Sequence, residues 1–264
     1  MKKLCTLLAL TMSFSMNAQL TAVTEGGNTG QRLSTSFASN HGDIGSNAVD
    51  LSYEDFSSTT KGATGTSSVA MGYSTTASGN YSTAMGNGTT ASDYASFVIG
   101  QYNSSGSSVT NNATSFNTAN TAFVIGNGTA SNAKSDAFKV MFNGDATVSN
   151  DLTVSGDVVI SSDARLKSNI VSLGSTLPRL LQIDGKSYEI KGKQKIGVLA
   201  QEIKEVFPEL VSEDDNEMLA VNYQGLVPVL INALKEQDAK MKEQEKKINR
   251  LEKILLKLNE NYED

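Results

Sequence analysis

A fourteen-residue repeat is the feature that most constrains how this 264-residue chain folds. Residues Ser68–Tyr81 read SVAMGYSTTASGNY, and the next fourteen residues, Ser82–Ala95, read STAMGNGTTASDYA. A third copy, SFVIGQYNSSG, starts at Ser96, and a degenerate copy, AFVIGNGTASNA, starts at Ala122. A disordered low-complexity linker has no reason to keep such a phase, so the repeat indicates a folded array.

Each repeat offers two short strands. A pair of small apolar residues precedes each repeat glycine, and glycine or asparagine stands where a turn needs a positive φ. One repeat cannot bury enough apolar surface alone, whereas stacked coils share a continuous narrow core. The repeat glycines are Gly72, Gly86 and Gly100.

The repeats resemble the head of trimeric autotransporter adhesins, a left-handed parallel β-roll with an S-x-A-x-G signature. STAMG at Ser82–Gly86 and SVAMG at Ser68–Gly72 match this signature, and the third copy departs at one position. The resemblance covers about Gly62 to Gly128 and implies a homotrimer with an unknown surface ligand. That family's stalk and membrane anchor have no counterpart here, so we expect no transmembrane anchor and no self-secretion.

The composition of the chain changes at Ser161. Residues 19–161 hold four basic and ten acidic residues, whereas sixteen basic and eighteen acidic residues follow from residue 162 onward. All three prolines lie in the second part. We interpret this change as a domain boundary. Just before it, alternating apolar residues predict short β-strands at Phe138–Phe142, Leu152–Val154 and Val158–Ile160.

The second part changes from strand to helix periodicity. IGVLAQEIKEVFPELV predicts a strand at Ile196–Leu199 and a short helix that stops near Pro208. A last helix runs to about Leu258 with heptads typical of a parallel coiled coil. The alternative is an amphipathic helix that packs on its own domain. The predicted a and d positions are Val227, Leu234, Met241, Ile248, Leu255 and Leu230, Gln237, Gln244, Leu251, Leu258.

The first eighteen residues have the layout of a secretory signal peptide, with two lysines, a short apolar run and Ala18 before the expected cleavage point. An uncleaved N-terminal anchor is the alternative. The single cysteine, Cys5, lies inside this segment, and the single histidine, His41, is predicted to lie in an exposed loop without a role. We therefore expect no metal site, no cofactor and no histidine-based triad. Export and the net acidic second part exclude nucleic acid as a partner.

A serine nucleophile without histidine needs another base, and lysine is the known substitute. Ser162 and Lys167 stand five residues apart in SSDARLKSNI, which does not place them on one face of a helix. The segment must therefore fold as a turn to bring them together. A lysine serves as a base only when burial disfavours its charged form, because a solvated ammonium keeps its proton at neutral pH.

Three blocks in register carry a second resemblance. SDARLKSNI, IGVLAQEIKEVFPELV and VNYQGLVPVLINALKEQ precede the coiled coil in that order. Together they resemble the intramolecular chaperone auto-processing domain of phage endosialidase tailspikes and other trimeric fibres. In that family the domain trimerises, guides folding of the preceding β-rich fibre and then cuts itself off.

The resemblance implies cleavage between Ser161 and Ser162, with Ser162 as nucleophile and Lys167 as base. Four further matched positions are expected to shape the site or to be structural: Asp163, Asn169, Gln201 and Glu202.

The predicted fold is a mainly β head, built as a left-handed parallel β-roll, followed by a small α+β domain and a C-terminal trimeric coiled-coil helix. The predicted function is a secreted or cell-surface homotrimeric fibre or adhesin with a self-cleaving chaperone domain. A non-cleaving adhesin on a permanent trimerisation foot is the alternative, and a signal peptide argues against a phage tail fibre. The predicted domains are a signal peptide (1–18), an N-terminal β-rich or loop segment (19–61), the repeats (62–130), a β-rich connector (131–161), the chaperone domain (162–226) and the coiled-coil helix (227–264).

Overall fold

The computed structural model describes residues 19–104, 112–214 and 217–260. The predicted signal peptide lies outside the described residues. The chain divides into two compact units, one that ends at Val158 and one that begins at Val159.

The first unit is built of β-strands. An antiparallel hairpin comes first, and parallel coils follow it, three of which have both a longer and a shorter strand among the described residues. The strands are β1 (Leu20–Glu25), β2 (Asn28–Leu33), β3 (Val49–Tyr53), β4 (Gly62–Ala63), β5 (Val69–Tyr73), β6 (Thr76–Ala77), β7 (Thr83–Asn87), β8 (Thr90–Ala91), β9 (Phe97–Gln101), β10 (Thr121–Asn127), β11 (Asp136–Met141) and β12 (Ala146–Val148).

The coils stack in register, as the fourteen-residue repeat predicts. Ala70 pairs with Ala84 and Ala84 with Val98 in the large sheet. In the small sheet, β4, β6 and β8 pair in the same parallel sense. Alternate residues of each strand point inward, and the inward side chains are small because the two sheets lie close together. The core consists of Ile44, Ala48, Ala63, Ala70, Ala77, Ala84, Ala91, Val98 and Val124. The predicted parallel β-roll is confirmed.

The N-terminal end of the roll carries a buried charged cluster. Arg32 is 2% exposed and reaches both Asp50 and Glu25 with its guanidinium group. The prediction that His41 lies in an exposed loop is wrong, because this residue is only 5% exposed. Its loop folds back over the end of the roll, where the amide of Gly42 donates to the carbonyl of Lys61.

The strands after the roll only partly follow the prediction. β10, β11 and β12 pair antiparallel, so the predicted strand around Phe138–Phe142 is present. The predicted strands at Leu152–Val154 and Val158–Ile160 are wrong, because residues 151–160 have no strand structure in the chain. Alternating apolar and polar residues are compatible with a β-strand. A strand also needs a neighbouring strand that pairs with its backbone N–H and C=O groups, and the described chain provides no such neighbour for residues 151–160.

The second unit is a small α+β fold that leads into a long helix, as predicted. Its core consists of Ile203, Phe207 and Val229, with the Arg179 guanidinium 4.1 Å from the centre of the Phe207 ring. The elements are α1 (Leu177–Leu180), the hairpin β13 (Lys186–Ile190) and β14 (Lys193–Gly197), α2 (Ala200–Val206), the hairpin β15 (Val211–Glu213) and β16 (Leu219–Val221), and α3 (Leu226–Glu260). The strand predicted at Ile196–Leu199 thus ends earlier, at Gly197, and Leu199 instead precedes α2 as its N-cap.

The first turns of helix α3 are partly buried against the second unit, whereas its heptad positions are exposed. Near its start, Val229 and Ala233 are buried against the unit. The apolar side chains at the predicted a and d positions are instead 46–69% exposed along the helix. Packing on its own domain therefore accounts for the first turns only, and the heptad seam has no cover within the described chain.

Candidate functional site

A short turn brings Ser162 and Lys167 together. A single 3-10 turn spans Ala164–Leu166 and begins after Asp163. The amide of Lys167 donates to the carbonyl of Ala164, which reverses the chain direction. As a result, Lys167 Nζ donates a hydrogen bond of 2.8 Å to Ser162 Oγ. Ser162 and Lys167 are five residues apart, a spacing that would not place them on one face of an α-helix. A single 3-10 turn between them nevertheless brings their side chains together.

Asp163 holds this turn in place. Its carboxylate accepts hydrogen bonds from the amide of Arg165 and from the Arg165 guanidinium, at 2.8 Å and 2.7 Å. The guanidinium beside it, and then the amide of the same residue, lower the pKa of Asp163. The aspartate is therefore the N-cap of the turn that positions Lys167, and it has no hydrogen bond of its own to Ser162 or Lys167 among those described.

Both side chains of the pair are exposed in the single chain, and so is every residue from 149 to 175. In the single chain the pair is thus a solvent-exposed hydrogen-bond donor and acceptor, with Lys167 Nζ donating and Ser162 Oγ accepting. The surrounding segment is also unusually apolar for an exposed one. The most exposed of its large apolar side chains are Leu152, Val158, Val159, Leu166, Ile170 and Val171.

No hydrogen bond described here joins the other predicted site residues to this turn. Asn169 has a φ of +52°, a left-handed conformation that asparagine tolerates well. Gln201 and Glu202 lie in the first turn of α2. Glu202 accepts a hydrogen bond from the amide of Asp184 and forms an ion pair with Lys186 at 3.1 Å. Its described contacts join α2 to Asp184 and to Lys186 at the start of β13.

Sequence reasoning missed Glu236, which fastens the segment after the turn to helix α3. Its carboxylate accepts hydrogen bonds from Ser175 Oγ and from the amides of Thr176 and Leu177, at 2.7, 2.5 and 3.2 Å. These bonds, that from Ser175 foremost, lower the pKa of Glu236. Thr176 before Leu-Pro is a recognisable helix start, but its partner sixty residues away has no signal in the sequence.

The described residues include no group of three or more His, Cys, Asp or Glu side chains placed to hold a metal ion. Within the same residues, no helix combines the length and the apolar character that crossing a membrane requires.

Comparison with known families matches both parts of the chain. Residues 162–212 match the family described as chaperone of endosialidase, and this match begins at Ser162 itself. Two overlapping copies of the YadA head domain repeat match residues 63–89 and 77–103, fourteen residues apart. A search of curated proteins finds no match to the chain. The chain therefore joins YadA head domain repeats to a C-terminal domain of the chaperone of endosialidase family.

Proposed function

We propose that the chain is an exported, homotrimeric fibre or adhesin whose C-terminal domain assembles the trimer, guides folding of the β-roll and then releases itself by cutting the Ser161–Ser162 bond. The observation that carries this proposal is the 2.8 Å hydrogen bond between Lys167 Nζ and Ser162 Oγ, formed at the residue where the chaperone-family match begins. The export signal is the predicted signal peptide, residues 1–18.

The chemistry is an acyl shift followed by hydrolysis. Lys167, once neutral, takes the proton of Ser162 Oγ, and the oxygen attacks the carbonyl carbon of Ser161. The C–N bond then breaks, Lys167 returns the proton to the leaving nitrogen, and the acyl group is held as an ester on Ser162. Water hydrolyses the ester to leave a carboxylate on Ser161 and a free amino group and hydroxyl on Ser162. Each chain turns over once.

Three uncovered apolar surfaces support a trimer. The first is the outer face of the large sheet, where half-buried Leu51, exposed Met71 and half-buried Met85 pair in register across adjacent strands. The second is the exposed segment around the Ser162–Lys167 turn, and the third is the heptad seam of α3. Exposed apolar surface of this extent marks an association site, and seams repeated every seven residues select helices of the same kind.

Trimer formation also supplies a reason for timing. In the single chain both side chains of the pair are exposed to solvent. Packing of Leu166 and Ile170, which are 72% and 66% exposed, against other copies would remove water from the turn. Burial disfavours the charged form of lysine, so assembly itself would produce the base. Cutting would then follow folding, and the fibre would retain its structure kinetically after the chaperone leaves.

The test is N-terminal sequencing and intact mass of the products formed by residues 19–264. We expect a C-terminal fragment that begins at Ser162. Ser162→Ala and Lys167→Ala should each abolish it while leaving trimers intact. Ser161→Ala is the matched control, because it changes the neighbouring serine and leaves both side chains of the pair in place, so cutting should continue.

The same experiment distinguishes the second candidate, a non-cleaving adhesin on a permanent trimerisation foot. The exposure of the Ser162–Lys167 pair in the single chain favours this alternative. A wild-type chain that is trimeric and stays full length would establish it. A cut that survives Ser162→Ala would place the nucleophile elsewhere.

A further inference from the structure

The second unit contains an apolar groove of about 280 Å³ that no part of the described chain fills. Its walls come from α1, α2, the start of α3 and the chain on either side of the β13–β14 hairpin. Several of the wall side chains are half-buried because they also pack on the core of the unit, so the groove is formed before anything enters it. The lining residues are Leu180, Ile183, Gly185, Val198, Ile203, Leu226 and Leu230.

The chemistry of this lining favours aliphatic side chains as the occupant. Every lining residue is aliphatic or glycine, so no side chain in the apolar groove can orient a polar molecule by hydrogen bonds or charge. The volume also lies just below the range of about 300–1,000 Å³ that is usual for small-molecule sites. A few leucine, isoleucine or valine side chains from a protein segment match both the size and the chemistry.

The same unit carries a segment with such side chains, residues 166–171. Every residue of this segment is exposed in the single chain. Leu166, Ile170 and Val171 are 72%, 66% and 82% exposed, although aliphatic side chains of this size are usually buried. The unit therefore holds both halves of an apolar contact, a groove and a segment, and the single chain does not join them.

The position of Leu230 indicates that a neighbouring copy covers the apolar groove. This side chain lines the groove and also occupies a predicted d position of the heptad seam, where it is 46% exposed. In a parallel coiled coil the d side chains face the neighbouring helices, so the groove is continuous with the seam. In a closed ring of three copies, each contact joins two different surfaces of adjacent copies, and the groove and the segment are two such surfaces.

We propose that the apolar groove of each copy receives Leu166, Ile170 and Val171 of a neighbouring copy in the trimer. This inference rests on the proposed function, and it names the surface that removes water from the Ser162–Lys167 turn. Lys167 directly follows Leu166, so docking brings it to the same apolar walls, where its charged form is disfavoured. The Ser162–Lys167 site is thus incomplete within one chain, and a neighbour's groove completes it.

The test measures whether residue 171 is protected in the trimer. The only cysteine of the chain is Cys5, so residues 19–264 contain none, and Val171→Cys introduces a single small, apolar reporter. Ser162→Ala is present in all samples so that the chain stays intact. Labelling of the trimer by a maleimide should be at least about tenfold slower than labelling of the Ile248→Asp monomer, because it must wait for the groove to open.

Gly185→Phe tests the apolar groove itself. A Cβ at Gly185 would meet nothing within 4 Å, and its φ lies outside the left-handed region, so the aromatic ring can fill the groove without straining the backbone. We expect labelling at the monomer rate, while analytical ultracentrifugation still finds trimers. Gly185→Ala is the matched control and should keep labelling slow. Should Gly185→Phe fail to fold, Ile183→Asp replaces it by placing a charge in the groove wall.

Mixed trimers show which copy supplies the apolar groove. A chain with both Gly185→Phe and Val171→Cys is co-expressed with an excess of chain that has neither change. Slow labelling is expected, because the reporter segment docks into the intact groove of a neighbour. Fast labelling would mean that each segment occupies the groove of its own chain, and it would overturn the proposal.

Two further results would also overturn the proposal. One is equal labelling rates for the trimer and the monomer, and the other is equal rates for Gly185→Phe and Gly185→Ala. These outcomes are separate from the fate of the proposed cleavage. A protected reporter in a wild-type trimer that stays uncut would contradict cleavage alone, whereas a freely labelled reporter in a chain that cuts itself would contradict docking alone.

Discussion

Replacing Gly86 by alanine should disrupt the β-roll far more than the same change at another glycine of positive φ. Gly86 lies in β7 with a φ of +122°, and a Cβ built on it would lie 1.9 Å from the carbonyl oxygen of Gly100 in β9. Backbone atoms cannot yield as a flexible side chain can, so β7 and β9 must move apart. Gly144 is the matched control: its φ is +95°, and a Cβ there would meet nothing within 4 Å.

The difference between the two variants follows from these contacts. An alanine in the left-handed region costs about 1–2 kcal/mol at either position. At Gly86 alone, overpacking against the next strand adds about 1–3 kcal/mol. We therefore expect Gly86→Ala to be destabilised by about 2 kcal/mol more than Gly144→Ala. For a chain of this size that corresponds to a melting temperature lower by about 4–8 °C than that of the control.

The assay is thermal unfolding of residues 19–264 followed by far-UV circular dichroism, with Ser162→Ala in all samples so that cleavage does not change the species measured. Equal melting temperatures for Gly86→Ala and Gly144→Ala would refute the reasoning, because they would mean that adjacent coils do not approach backbone to backbone at the repeat glycine.

Three further predictions concern other parts of the chain. Asp50→Asn should destabilise the head by about 3–5 kcal/mol, measured by urea unfolding, because it takes a charged partner from the buried Arg32; an equally small effect from Asp145→Asn and Asp50→Asn would contradict this. Ile248→Asp, at a predicted a position, should abolish trimers in analytical ultracentrifugation, whereas Lys246→Asp on the outer side of the seam should not. Folding lowers the pKa of Glu236, so its stabilising effect is complete above its ordinary pKa of about 4.5 and is lost as pH falls through the lowered value. The loss of stability of the second unit between neutral pH and pH values below about 4.5, measured by circular dichroism, should therefore be smaller in Glu236→Gln than in wild type.

The repeat and the heptads were predictable because their information is local and periodic. A fixed fourteen-residue step leaves little choice but stacked coils, and Ala70, Ala84 and Val98 lie in register as that step requires. The short helix before Pro208 and the long helix α3 follow in the same way from composition and spacing. The alternation of apolar and polar residues was a less reliable predictor of strands, as residues 151–160 show. This pattern describes a single strand, whereas a strand forms only when a second strand pairs with it.

The amino-acid sequence by itself determined the roll and the helix α3, since each arises from neighbours within one repeat or one heptad. The 3-10 turn that brings Ser162 to Lys167 is equally local, but the role of the pair came from a family resemblance and not from its spacing. Only the tertiary structure decided that His41 is buried against Asp50 and that Glu236 receives the backbone of Thr176. The Glu236 contact joins residues that are far apart in the chain, and the His41 contact involves an irregular loop. These contacts depend on how whole strands, helices and loops pack against one another, and no periodic pattern in the sequence predicts them.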